Sequence, residues 1–534
     1  MIALRNKLSS LWRDSALLSL CRRGGGFRRQ YIATLGAGLL LALPILLFVH
    51  RYIDDVGRSM DGEIRWVQVG RPLAEWLFAL INIGGHGVAV APLYQLLAVA
   101  LVALVGVCAA RVYGIRSPFW TAVATLPLIG QPYAQENLSY GFDCLGMLLA
   151  LGLAVLAAIA IVIEAGRKAL LITVLLLTAS LGLYQSAASA FLPFALMLVV
   201  GGKLHLLEPA AVLWRPAKLW ITEILLSYLM ALALYSLLLR LTFHSPTSYA
   251  SEQGQLLPFD LHLPFALLRN SWAYWAEIVD DWNSWPLAGL CLALAVASIS
   301  VVVWRSLVGL PQGGIPWRAR LIRLAGMLAC LPLIGAVAPG ALLALQDPLA
   351  SVPRVLLFVG PLLASLQLQI VASASRSSRD QMPASLRALS LAAVLAATWL
   401  QIVFAYAYGH AFAAQAEFEA GRLSRLVDGI SRLQQRQGQS QAAALSFVGS
   451  MPRSPVLTNT QHKFPLINRL VPRLIRDDWA WGWKQLQLHG IDLKRSKSRQ
   501  QDLTGSFCGD LRTSECTSEY TIQIQGRTLL VQIK

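Results

Sequence analysis

The sequence predicts a mainly α, polytopic membrane protein with a small α/β domain at its C-terminal end. Three observations lead there. Of 534 residues, 56% are hydrophobic and only 14% are charged, where soluble domains carry about 25% charged residues. Mean hydropathy is +0.56. Apolar runs recur at the length of about 20 residues that crosses a hydrocarbon core, and they stop near residue 410.

The elements follow in order. Residues 1–30 form a basic N-terminus with Arg5, Lys7, Arg13, Arg22, Arg23, Arg28 and Arg29. The apolar run from Tyr31 continues into His50-Arg51-Tyr52 without a small-residue cleavage site, so it is read as an uncleaved first span. Spans are expected at 31–50, 88–110, 117–131, 143–163, 169–184, 187–201, 219–240, 286–304, 323–345, 354–373 and 388–409, about eleven transmembrane helices within 31–410. Segments on one side of this threading hold 21 Lys and Arg, and the opposite loops before residue 410 hold seven. Basic loops stay in the cytoplasm. The N-terminus is therefore expected inside and the C-terminal domain outside.

Residues 411–534 are different in kind. They hold 17 Lys/Arg and 10 Asp/Glu with no membrane-length run. Ala411 to Gln435 has Phe418, Leu423, Leu426, Ile430 and Leu433 at helical spacing. A short strand at Leu445–Val448 and a hairpin of Tyr520–Ile524 and Thr528–Ile533 follow from alternation around a Gln-Gly-Arg turn. Trp479, Trp481 and Trp483 lie between them. Cys508 and Cys516 are the only cysteines of this domain, and in an oxidising compartment they are expected to form a disulfide. The net charge of +17 is explained by membrane orientation. No basic-aromatic recognition motif accompanies it, so nucleic acid is not an expected partner.

Chemistry is expected at the outer loops. The first, residues 52–73, concentrates Asp54, Asp55, Asp61 and Glu63 with Arg58, Arg65 and Arg71 just after a span. Such a pattern suits either a solvated charged loop or a site where arginines hold a phosphate and a carboxylate takes a hydroxyl proton. A second loop, residues 131–147, brings Glu136, Asn137, Tyr140 and Asp143 to the same side. There Asp143 either caps the following helix or lines the same cavity. Tyr184 and Gln185 sit in a tight outer turn and serve as interfacial anchors or as a third wall. The loop 241–285 has His244, Asp260, His262, Glu277, Asp280 and Asp281 with Trp272, Trp275 and Trp282, without metal-ligand spacing. There is no phosphate-loop motif and no dinucleotide fingerprint. Few ionisable residues fall in mid-span, where ion-coupled transporters need them.

One set of motifs carries a resemblance. Asp-Asp-Val-Gly-Arg at 54–58, Gly-Arg-Pro-Leu at 70–73, Pro92 with Gln95, Glu-Asn-Leu-Ser-Tyr-x-Phe-Asp at 136–143 and Leu-Tyr-Gln-Ser at 183–186 occur in this order. Together they resemble the Gtr type II family, serotype-converting O-antigen glucosyltransferases of Gram-negative bacteria and their phages. The resemblance runs in order over about residues 50–190 and more loosely through the remaining spans, and the C-terminal domain matches none of it.

The resemblance implies a GT-C-like helical bundle in the bacterial inner membrane, with its C-terminal domain and catalytic cavity in the periplasm. It implies an undecaprenyl-phosphate-glucose donor, made by a separate synthase and moved by a small flippase. The acceptor is O-antigen or another glycan, and reaction with inversion turns a β-linked donor into an α-glucoside. An outer-loop acid serves as base, which places Asp55 and Asp54 as catalytic candidates. Asp55 is favoured and Asp54 is given an orienting role, since adjacent residues of an extended loop face opposite ways. Arg58 and Arg71 are the candidates for the donor phosphate. Asp61, Glu63, Glu136, Asn137, Tyr140, Asp143, Tyr184 and Gln185 are candidates for sugar and acceptor. No cofactor is expected, although Asp54 and Asp55 together suit a divalent metal. Two other classes compete with the enzyme: a flippase or exporter of lipid-linked sugars, and a membrane anchor for the C-terminal domain.

Overall fold

The computed structural model describes residues 16–17, 26–49, 51–164, 166–208, 216–242, 247–308, 316–375, 382–436, 443–476, 479–491, 493–495 and 514–534. The first half contains α1 (Phe27–Phe48), the short α2 (Asp54–Asp61) and α3 (Pro72–Ile81), and α4 (Leu93–Val112). Three brief helices follow: α5 (Pro118–Thr125), α6 (Pro127–Gly130) and α7 (Pro132–Ser139). Next come α8 (Cys144–Ile163), α9 (Gly166–Leu183), α10 (Phe191–Lys203) and α11 (Ala217–Thr242). The second half has α12 (Ser248–Gln253), α13 (Leu263–Asp281), α14 (Trp285–Leu307), α15 (Trp317–Val337), α16 (Val359–Ser375) and α17 (Ala384–Arg436).

Among the described residues, nine helices are long and apolar enough to cross a membrane. All eleven expected spans fall on helices, but two of those helices are shorter: Pro118–Gly130 and Val359–Ser375. The count of full-length spans is therefore nine. In the first case prolines explain the interruption. Pro118, Pro127 and Pro132 each open a new helix, the position where a missing N–H is tolerated. The first outer segment also departs from expectation, because residues 54–61 and 72–81 are helical rather than extended loop.

A further departure concerns the expected boundary at 410/411. It lies inside α17, a single helix of 53 residues, roughly 80 Å long at 1.5 Å per residue. No proline interrupts it. Gly409 lets it cross α1 closely, since a Cβ there would lie 2.6 Å from the Pro44 Cβ; small residues serve this purpose at membrane helix contacts. Its lower part gives Phe404, Tyr408 and Phe412 to the core of the helical bundle. Its outer part gives Leu423, Leu426, Ile430 and Leu433 to a second core.

That second core lies under a five-stranded sheet. The strands are β1 (Ala444–Val448), β2 (Lys494–Arg495), β3 (Ser514–Cys516), β4 (Tyr520–Gln525) and β5 (Thr528–Ile533). Their order is β2-β1-β5-β4-β3. The β4–β5 hairpin pairs Tyr520 with Ile533 through to Gln525 with Thr528, as its alternation predicts. β1 runs parallel to β5. Cys516 is disulfide-bonded; Cys508, its expected partner, lies outside the described residues.

The segment between β1 and β2 does not stay with the sheet. Its helices α18 (Pro455–Lys463) and α19 (Ile467–Leu470) place Leu457, Phe464, Ile467 and Leu470 in the core of the membrane bundle. The next helix, α20 (Ala480–Leu488), packs its Trp483 under the sheet. The tail is thus threaded between both cores and crosses the outer end of the bundle.

Candidate active site

The site begins at α2. Tyr52 and Ile53 turn the chain out of α1, with Ile53 at φ 45°, a conformation that β-branched residues avoid. The two acids that follow then separate. Asp55 is buried and its carboxylate accepts backbone N–H bonds from Tyr52 (3.1 Å), Gly141 (2.7 Å) and Phe142 (3.2 Å). It ties the first outer segment to the second. Asp54 remains partly open, lines a large cavity and lies 3.6 Å from Arg58 one turn on. Asp55, favoured as base from the sequence, is held by three backbone N–H groups and does not line the cavity, whereas Asp54 does. Among the described residues no group of three or more His, Cys, Asp or Glu side chains is gathered as metal ligands would be.

Burial pushes the Asp55 carboxyl up to about 6 from its ordinary 3.8, against the pull of the N–H donors and Arg58. The folded protein therefore holds this proton more tightly than the unfolded chain. Its contribution to stability is full below pH 3.8 and is lost as pH rises through about 6. Asp55→Asn replaces one acceptor oxygen by an NH₂ group facing N–H donors. It is expected to cost about 1–3 kcal/mol at pH 7 and to remove this pH dependence. Thermal unfolding in detergent at pH 4 and pH 7 checks both.

Asp143 is the second anchor. It opens α8 but makes no side-chain cap bond. Instead its carboxylate accepts from Arg58 and from Trp66 Nε1 (2.7 Å), and Arg71 is 3.7 Å away. It orients the arginines rather than capping the helix. The Arg58 guanidinium also stacks 5.1 Å from the Trp66 ring centroid. Arg71 precedes α3, lies 4.5 Å from the Tyr184 ring centroid and donates to Gln185 Oε1 at 3.3 Å.

Arg354 completes the cluster from the far end of the chain. It bonds the Tyr140 hydroxyl, while its carbonyl accepts from Asn137 (3.0 Å) and Tyr184 (3.3 Å). Glu136 is buried behind it, 3.3 Å from the Tyr52 hydroxyl, and burial pushes its carboxyl up to about 7.

These groups surround a cavity of about 780 Å³. Asp54, Arg58, Arg71, Tyr140 and Asp143 line it, as expected from sequence. Trp66 and Arg354 line it too, and so do Arg469, Arg473, Arg476, Trp479 and Trp481 from the tail. A second, largely apolar cleft of about 270 Å³ adjoins it between α9, α11 and residues 341–355. Val69, Arg71, Val352 and Arg354 line both spaces.

Several candidate residues have other positions. Asn137 is fully buried and holds the Arg354 backbone. Glu136 supports the wall from behind. Asp61 pairs with Lys484 of α20 at 2.8 Å, and Glu63 pairs with Arg65 at 2.6 Å on the surface. None of these four, nor Asp55, lines the cavity. Tyr184 and Gln185 line the apolar cleft, where Gln185 Nε2 also donates to the carbonyls of Val69 and Gly70. In the loop 241–285, Asp281 accepts from Tyr133 and Arg469, and His244 lies outside the described residues. Arg354 and the tail residues were marked in the sequence only by their outer position and the tryptophan cluster.

Long apolar helices, beside a polar cavity where one partly open acid sits among arginines and an apolar cleft adjoins, define the class as a multi-pass membrane protein. The chain belongs to the GtrII glucosyl transferase family, whose model matches residues 43–397. It is a glycosyltransferase. The match covers residues 50–190 and the spans beyond them through which the resemblance ran more loosely. Over 454 residues the chain is 23% identical to an uncharacterized 55.3 kDa protein in the gtrB 5′ region of Salmonella phage P22, covering 84% of this chain and 87% of that one. No solved structure matches.

Proposed function

We propose that the protein moves glucose from a polyprenyl-phosphate carrier to a glycan acceptor, O-antigen being the acceptor class the family suggests. One observation carries the donor assignment. Arg71 and Arg354 line the polar cavity and the apolar cleft at once, which suits a ligand whose phosphate sits at the junction and whose isoprenoid tail occupies the cleft. Planar guanidiniums bind phosphate oxygens in pairs, and Arg58 adds a third positive charge nearby.

The chemistry then divides between two groups. The acceptor hydroxyl oxygen attacks the anomeric carbon, and Asp54 takes its proton as the new C–O bond forms. The bond from the anomeric carbon to the phosphate oxygen breaks with inversion, and the charge left on the carrier phosphate is met by the arginines. The reading needs no metal ion. The donor is supplied by a separate synthase and flippase.

The test is transfer by purified protein from undecaprenyl-phosphate-glucose to an O-antigen oligosaccharide. Movement of the donor across a bilayer without product would favour the flippase reading instead. We also place the cavity and sheet domain in the periplasm, from the basic asymmetry of the loops. Because α17 runs through residue 410, a topology reporter belongs after Lys534. A periplasm-only reporter is expected to be active there, and activity of a cytoplasm-only reporter would reverse the orientation.

A further inference from the structure

We propose that the tail stretch carrying Arg473, Arg476 and Trp479 is the acceptor subsite, a wall that binds the glycan and presents its hydroxyl to Asp54. The proposal rests on the glucosyl-transfer reading above and adds the residues that recognise the second substrate.

The wall is built and held in place. At one end Arg469 donates to Glu277 (2.8 Å), Asp281 (2.5 Å) and the Ser351 carbonyl (2.6 Å). Beside it the Tyr52 hydroxyl donates to the Leu470 carbonyl at 2.7 Å. At the other end Trp481 lies so close to α2 that a Cβ on Gly57 would be 2.9 Å from its ring, and Lys484 pairs with Asp61 at 2.8 Å. The second pair of anchors therefore grips the short helix whose first residue is Asp54. Arg473, Arg476 and Trp479 line the same cavity as its carboxylate.

The division of the cavity assigns the wall to the acceptor rather than the donor. The donor's lipid needs the apolar cleft, and among the described residues no tail residue lines that cleft. Of these two adjoining spaces, the described tail residues line the polar cavity alone. Their chemistry suits a sugar. An indole offers a flat apolar face to the C–H side of a hexose ring, and guanidiniums donate to its hydroxyls. Arg476 stacks on Trp479 at 4.1 Å from the ring centroid, which fixes the plane of the indole. Arg473 projects from the same wall, 3.5 Å from the Met451 carbonyl. The family match ends at residue 397, so this wall lies outside it.

The test uses the full chain in lipid nanodiscs with Trp479→Ala, Trp479→Phe and Arg473→Gln. Short hexose oligosaccharides with a fluorescent label serve as acceptors, and radiolabelled undecaprenyl-phosphate-glucose serves as donor. Trp479→Ala and Arg473→Gln are expected to raise the acceptor KM about tenfold or more, as truncating a Trp or Arg anchor does. Donor binding should stay unchanged, which also reports that the variants fold. Trp479→Phe keeps an aromatic face and should recover most of the acceptor affinity. An unchanged acceptor KM in both truncations, or donor affinity falling in step with it, would overturn the proposal. The underlying reading fails separately, if the unaltered protein transfers no glucose from the carrier. Oligosaccharide binding to donor-free protein would still measure the wall in that case.

Discussion

Asp54→Asn is expected to lower the rate of glucosyl transfer about 10²–10⁴-fold, the range for loss of a positioned general base. Asn keeps the shape of the side chain and its place at the start of α2 but accepts no proton. Donor binding should persist, because Asp54 only approaches Arg58 at 3.6 Å while Asp143 makes the closer bond to that guanidinium. Rates under saturating donor and acceptor, together with binding of labelled donor, check this. Transfer within a few-fold of normal would move the proton to another group. Glu136 and Asp143 would then be next in reach of the cavity wall. Asp55→Asn serves as the counterpart: its loss should follow the amount of folded protein, since its oxygens face backbone N–H groups.

The second large effect is expected at the junction of cavity and cleft. Arg71→Ala and Arg354→Ala should each reduce transfer about 10²–10³-fold, as removal of one preorganised group at a developing charge does. Both should also weaken donor binding while the acceptor KM changes little. Lysine at either position should restore only part of the loss, because an ammonium cannot make two parallel bonds to a phosphate. A lysine at position 71 would also lose the flat stacking of the guanidinium on Tyr184. Donor titrations at fixed acceptor measure both constants. Unchanged donor dependence in both variants would remove the phosphate from this junction.

The motifs of the first 190 residues lead to segments that line the cavity, while several of the side chains named in them point elsewhere. Asp54 and Asp55 are the sharpest case. In an extended loop they would face opposite ways, but residues 54–61 form a helix, where each residue turns the side chain by about 100°. That rotation sends Asp55 into the Gly141–Phe142 backbone and leaves Asp54 toward the cavity. Asn137 and Gln185 look like sugar ligands by residue type, yet their amides hold backbone carbonyls. Asp61 looks like a second acid and is a partner for Lys484, 423 positions away. Pairings at such separation leave no local pattern.

By itself the sequence determined the membrane class, the positions of the long apolar helices, the terminal hairpin and the family. Each of these is encoded over short stretches: an apolar run of the length of a bilayer, alternation about a turn, motifs in a particular order. Only the tertiary structure decided that α17 is continuous, which of two adjacent acids faces the cavity, and that Arg354 and the tail belong to the site at all. Those outcomes depend on helix rotation and on contacts between segments far apart in the chain. Their free energy comes from burying one partner against the other, so neither stretch carries the signal alone.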